Sequence, residues 1–346
     1  MTTKRPTHLV GSVNLPTTAD VFALAADKLG DSLHTIPDGE TGGRLEWIGW
    51  QRHVLEHATF LAPSGGGSAD AYEGNVNGLT RYRVNGDLTD ASFPSLGYAD
   101  AALPSFAIFS AMRDEGRIPA HLRFQVSLPT PLAPLAATIE PADFLKVEHL
   151  YEEAMRRELQ IICSGIPTDQ LAIQWDVSVE IAILEGVAMQ DGLGLFADPL
   201  KDLMERVAKV IGWIPDQALA GFHLCYGDYD HRHFVEPDDM SLMVAMANAV
   251  ISTASRTIDW LHLPVPISRD DDAYFAPLAQ LALAPETQLH LGLVHLSDGI
   301  EGGMKRMTTA ARHVQGFGVA TECGLGRRPP ETIARVMELM AALSQV

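Results

Sequence analysis

The sequence predicts an α/β fold, a (β/α)8 TIM barrel with an insertion after the second βα unit. Three observations carry this. Short apolar runs alternate with segments of helical periodicity, the rhythm of a parallel sheet. The 346 residues suffice for eight such units plus one insertion. Polar residues gather at the C-terminal ends of the runs, where a barrel places its chemistry. An open doubly wound sheet is the alternative. No Gly-x-Gly-x-x-Gly follows the first run, so its dinucleotide-binding version is disfavoured.

The first predicted strand is His8 to Val13, followed by a helix from Thr18 to Leu29 with Val21, Leu24, Ala25 and Leu29 on one face. Leu33 to Ile36 reads as the second strand. It runs into Pro37-Asp38-Gly39-Glu40-Thr41-Gly42-Gly43, a loop rich in turn formers. A helix is expected through Trp47, Trp50, Val54 and Leu55. From Leu61 to Leu103 the periodicity weakens around Ser64-Gly-Gly-Gly-Ser68. A plain loop of that length is unusual, so a lid or small hairpin inserted into a single domain of residues 1–346 is expected there. Six further strands are predicted at Arg123 to Leu128, Ala172 to Val177, Leu219 to Cys225, Ile258 to Leu263, Gln288 to Val294 and Gly316 to Ala320. Helices separate them at Phe144 to Leu159, Pro199 to Ile211 and Asp238 to Ile251. A last one follows over Pro330 to Leu343, beginning with Pro329-Pro330-Glu331.

Composition narrows the function class. Hydrophobic residues make up 47% of the chain, enough for a large core and against disorder. Lys and Arg total 25 against 44 Asp and Glu, a net charge of -19. With no compact basic stripe, that charge disfavours nucleic acid. No apolar run is long enough to span a bilayer, and the N-terminus lacks a signal-peptide pattern. Three scattered cysteines, Cys163, Cys225 and Cys323, suggest free thiols in a reducing compartment. A cytoplasmic protein acting on a small molecule is expected. The sequence does not fix an oligomeric state; a homo-oligomer is compatible with it.

The strand-end residues supply the candidates. His223-Leu224-Cys225 places an imidazole and a thiol on the same side of one strand. Both are natural zinc ligands. A core cysteine beside a polar histidine is the plain alternative. Cys323 ends the eighth strand at the same mouth and strengthens the metal reading. Zinc in such a site holds a thiol as thiolate or activates water, and the ligands alone do not choose. Asp176 ends the fourth strand as a candidate general base or substrate contact, against the plain reading of a helix cap. Glu40 and His295 join it as catalytic candidates. Ser12, Asp38, Gln174, Asp228 and Arg327 are candidate substrate contacts. His231 and His233 are not counted as ligands, and Cys163 reads as structural.

These residues resemble the catalytic domain of cobalamin-independent methionine synthases. That superfamily also holds zinc-dependent alkyltransferases acting on coenzyme M and uroporphyrinogen decarboxylase-like barrels. The resemblance runs from Val10-Gly11-Ser12 to Cys323-Gly324-Leu325. Gly11-Ser12 is similar to a Gly-Ser near the first strand. Gln174-x-Asp176 resembles a Gln-x-Asp whose Asp helps bind a thiol amino acid. His223-x-Cys225 matches a metal-binding pair, and Thr321-Glu322-Cys323-Gly324-Leu325 resembles a terminal Asp-Cys-Gly-Leu with a zinc-ligating cysteine. The family takes a glutamate ligand from the sixth strand end. Here Asp259-Trp260-Leu261-His262-Leu263-Pro264 has no glutamate. His262 is the nearest substitute as a ligand, the alternatives being a core or substrate-contacting role. The resemblance implies a zinc-dependent methyl- or alkyltransferase acting on a small thiol. A lyase, decarboxylase or hydrolase on the same barrel, with or without metal, and a non-catalytic binding barrel remain alternatives.

Overall fold

The computed structural model describes residues 4–64, 80–187, 195–227 and 232–346. Its strands are β1 (Thr7–His8), β2 (Thr35–Pro37), β3 (Leu61–Pro63), β4 (Tyr82–Val84) and β5 (Arg123–Pro129). They continue with β6 (Leu171–Val177), β7 (Leu219–Leu224), β8 (Trp260–Pro264), β9 (Gln288–Val294) and β10 (Gly318–Thr321). Eight form one sheet in the order β1-β10-β9-β8-β7-β6-β5-β2, every neighbouring pair parallel. This is the expected barrel, nearly closed and ringed by helices.

The α-helices are α1 (Thr18–Leu29), α2 (Arg52–His57), α3 (Tyr98–Asp114), α4 (Leu132–Thr138), α5 (Pro141–Gly165) and α6 (Val179–Leu184). After them come α7 (Pro199–Gly212), α8 (Ser241–Thr253), α9 (Asp272–Phe275), α10 (Gly299–Ala310) and α11 (Ile333–Ser344). None of the described helices is long and apolar enough to cross a membrane. The core lies between the strands and the apolar faces of these helices. On α1, for example, Val21, Phe22, Ala25 and Leu29 are buried.

The seam of the barrel lies between β1 and β2, which share no ladder. The sequence predicted a first strand as far as Val13, but the ladder ends at His8. Side chains from inside the barrel replace it. Gln125 Nε2 donates to the carbonyls of Leu9 (3.2 Å) and Val10 (3.0 Å). Ser127 Oγ (3.1 Å) and Gln174 Nε2 (2.6 Å) also donate to Val10. Val13 N–H donates to the Gly39 carbonyl at 2.7 Å, closing the upper seam. Side chains thus satisfy the Leu9 and Val10 carbonyls, the chain bends at Gly11, and backbone bonds to Leu325 and Gly39 hold Ser12 and Val13.

Two other expectations change. The helix expected through Trp47 and Trp50 is two short 3-10 turns, Gly42–Glu46 and Gly49–Gln51, before α2. Trp47 has φ 53, which no helix accommodates. Within 61–103, β3 and β4 pair antiparallel. Residues 65–79 lie outside the described set. At Tyr98 the 17-residue α3 begins, and it packs against α1 and α5. Pro104 inside α3 obscures the helical pattern. Its N-terminus is capped from a distance: the buried Glu158 carboxylate accepts from Leu96 N–H (2.8 Å) and Ala99 N–H (2.7 Å).

Candidate active site at the barrel mouth

Parallel register sets the site's level. Asp176 on β6 pairs with His223 on β7, His223 with His262 on β8, and His262 with His290 on β9. These four buried side chains form a row across the barrel. Cys225 follows β7, two residues after His223. Cys323 follows β10, where the chain crosses the same mouth. The structure brings His223, Cys225 and Cys323 together, with ligand atoms all within 4.8 Å of one another. The sulfurs are 3.9 Å apart, and Cys323 Sγ lies 3.7 Å from His223 Nε2. Two thiols and an imidazole at this spacing are a donor set suited to zinc.

His262 stands behind this cluster. Its Nε2 is 2.9 Å from the Thr321 carbonyl and its Nδ1 is 2.7 Å from His223 Nδ1. Both ring nitrogens are thus committed within the protein. Burial, then the neighbouring His223, His8 and His290, holds this ring well below the ordinary histidine range, so it is neutral.

Two cavities share the cysteine pair as a wall. The first, about 720 Å³ with its open mouth, is lined on its polar side by Ser12, Glu40, Asp176, Ser178 and Arg327. Leu45, Trp47 and Phe234 form its apolar side. The second, about 830 Å³, is lined by Tyr226, His233, His295, Ser297, Glu322 and Arg328 among others. Cys225, Cys323 and Gly324 line both. The adjacent Arg327 and Arg328 therefore diverge, one into each cavity.

Glycines make the first cavity possible. A Cβ on Gly11 would sit 2.5 Å from Glu40 Oε1, and one on Gly324 would sit 2.4 Å from Ser12 Oγ. The loop after β2 carries Glu40 with φ 48, a left-handed conformation for a non-glycine residue. Asp38 organises this loop rather than lining the cavity. It accepts from Glu40 N–H (2.9 Å), Ser105 Oγ (2.7 Å) and Arg44 Nη2 (2.7 Å). Gln174 is fully buried beneath the cavity. It donates to Asp176 Oδ1 at 2.9 Å, and its Oε1 lies 2.8 Å from His8 Nε2 and 3.2 Å from Trp260 Nε1. It positions Asp176 from below.

Burial dominates the electrostatics. It pushes Asp176 up to about 6, against the opposing effects of His223 and the Gln174 hydrogen bond. Burial and the Asp176 carboxylate together raise Glu40 well above the usual carboxylate range. These two carboxyls face one cavity and disfavour each other's charge, an arrangement that a bound cation would relieve. In the second cavity, His295 Nε2 lies 2.8 Å from the Val265 carbonyl, and burial lowers that ring to about 4. His233 Nε2 pairs with Glu322 Oε1 at 2.8 Å, and its contacts with Glu322 and Glu236 overcome desolvation and raise it to about 9.

Asp228 and His231 lie outside the described residues. Cys163 lies on α5, where burial pushes its thiol up to about 11. Sequence reasoning missed Trp47 and Phe234 as cavity residues and did not count His233 as a ligand. Glu322, a polar residue at the end of the eighth strand, and Arg328, which the sequence allows to meet a substrate anion near the mouth, both line the second cavity. Nothing local marks Trp47 or Phe234.

No family model and no curated protein matches the chain. Solved structures do. A protein of Listeria monocytogenes, described as a candidate vitamin-B12-independent methionine synthase, is 14% identical with TM-score 0.57, covering 99% of this chain and 98% of that one. A B12-independent methionine synthase from Shewanella sp. W3-18-1, in complex with selenomethionine, is 13% identical with TM-score 0.60 over 99% and 96%. A methyltransferase from Methanosarcina mazei is 12% identical with TM-score 0.55 over 99% and 94%. At such identities the likeness is one of fold.

Proposed function

We propose that this chain is an enzyme that moves a methyl or alkyl group to or from a small thiol, with zinc held by His223, Cys225 and Cys323. The observation that carries the reading is the convergence of two thiols and an imidazole where two cavities meet. The fold likeness to methionine synthase and methyltransferase structures supports it. When bound, zinc would supply a Lewis-acid centre that keeps a substrate sulfur in its nucleophilic thiolate form at neutral pH.

The chain's own residues divide the remaining work. Asp176 and Glu40 hold an ammonium group in the first cavity, charging as that cation arrives. Ser12 and Arg327 meet a carboxylate. A thiol amino acid fits this pattern, with its sulfur toward the cysteine pair. Trp47, Leu45 and Phe234 exclude water along the wall. The second cavity takes the other reactant. There the His233–Glu322 pair stands ready to give a proton to the donor's heteroatom, and neutral His295 can accept one at Nδ1.

Metal analysis of zinc-replete purified protein tests this. About one zinc per chain is expected, lost in Cys225→Ser and Cys323→Ser. X-ray absorption should then gain a sulfur neighbour of the metal when a thiol amino acid is added. Wild-type protein without zinc overturns the reading.

A further inference from the structure

The buried histidine behind the cysteine pair has no part in the chemistry above. Its hydrogen bonds nevertheless run in one direction. The Thr321 carbonyl oxygen only accepts, so His262 Nε2 carries that ring's proton and its Nδ1 is an acceptor. The proton between the two Nδ1 atoms, 2.7 Å apart, therefore belongs to His223. An imidazole that ligates a metal is neutral and bears one proton. His223 Nε2 is left with its lone pair, and this is the nitrogen that faces Cys323 Sγ. Thr321 lies two residues before Cys323, and its Oγ1 donates to the Cys323 carbonyl at 2.8 Å.

We propose that His262 is a positioning residue and not a ligand: it fixes His223 in the tautomer protonated at Nδ1, and it ties the strand end bearing Cys323 to the one bearing His223. The inference rests on reading His223, Cys225 and Cys323 as the metal site. It gives this chain two thiolates and one imidazole as protein ligands and keeps a tetrahedral fourth position for substrate.

The test uses ¹⁵N-histidine NMR of the metal-free protein and zinc affinity by chelator competition, on the wild type, His262→Leu and His262→Gln. In the wild type, His223 should be protonated at Nδ1. His262→Leu removes both hydrogen bonds. It should lose that tautomer preference and weaken zinc by about 10–100-fold. In His262→Gln the amide accepts at one atom and donates at the other, so tautomer and most of the affinity should return. A wild-type His223 protonated at Nε2 overturns the proposal, even if no variant folds. So does a folded His262→Leu with wild-type tautomer and affinity. Wild-type protein that binds no zinc overturns the metal-site reading, while the tautomer still decides the role of His262.

Discussion

Replacing Glu180 by Gln should make the protein more stable above neutral pH. Glu180 opens α6, just past the strand that carries Asp176, and is 2% exposed. Thr130 Oγ1 donates to its Oε1, while Oε2 has no hydrogen-bond partner. Burial is the main cause that pushes this carboxyl from 4.5 up to about 7; the Thr130 bond, the backbone N–H groups of Glu180 and Ser178, and then Arg206 pull the other way. A carboxyl whose folded value lies above its unfolded value costs stability as pH rises between the two. Over that interval the cost reaches about 3 kcal/mol at about 1.4 kcal/mol per unit. Gln stays neutral and keeps an oxygen for Thr130. Urea denaturation at pH 8 should therefore show Glu180→Gln more stable than wild type by about 2–3 kcal/mol, the difference vanishing near pH 4.5. A variant no more stable at pH 8 would refute the reasoning, because Oε2 would then have a compensating partner.

Two further substitutions probe the support of the site. Gln174→Leu leaves the buried N–H groups of His8 and Trp260 without their acceptor, and it should cost about 2–4 kcal/mol after the gain from leucine burial. Equilibrium denaturation checks this, and a loss under about 0.5 kcal/mol would mean that both groups find other partners. Gly324→Ala drives a methyl into Ser12 Oγ and should cost about 1–3 kcal/mol. Adding Ser12→Ala should recover part of that loss, and strict additivity in the double-mutant cycle would contradict the contact.

The strands were most legible where both faces are buried. Gln288–Val294 reads directly from its Leu and Val content because nothing but packing decides it. The first strand read too long, because apolar Leu9 and Val10 look the same whether a neighbouring strand or the side chains of Gln125, Ser127 and Gln174 bond their carbonyls. α3 was not foreseen, since Pro104 interrupts its pattern and Glu158, which caps it, lies about sixty residues away on α5. At the site, alternation along a strand puts His223 and Cys225 on one side, and a parallel barrel turns every strand end to one mouth. Depth is what sequence does not carry. Asp38, Gln174 and His262 share that mouth with the cavity residues, yet each is turned into a supporting contact by neighbours distant in the chain.

The open seam has a consequence for how such a site changes. Seven parallel ladders fix the rest of the barrel, while the stretch that leads to Gly11 and Ser12 hangs by the Leu9 and Val10 carbonyls from three polar side chains, with Ser12 held by Leu325 N–H. An exchange at Gln125, Ser127 or Gln174 resets the height of that cavity wall without moving any strand. The side chains there bond carbonyls and not amide hydrogens, so the amides of residues 10–12 should exchange faster than those of β9. The same barrel thereby acquires an adjustable jaw, one whose bite a handful of substitutions can retune for a larger or smaller ligand.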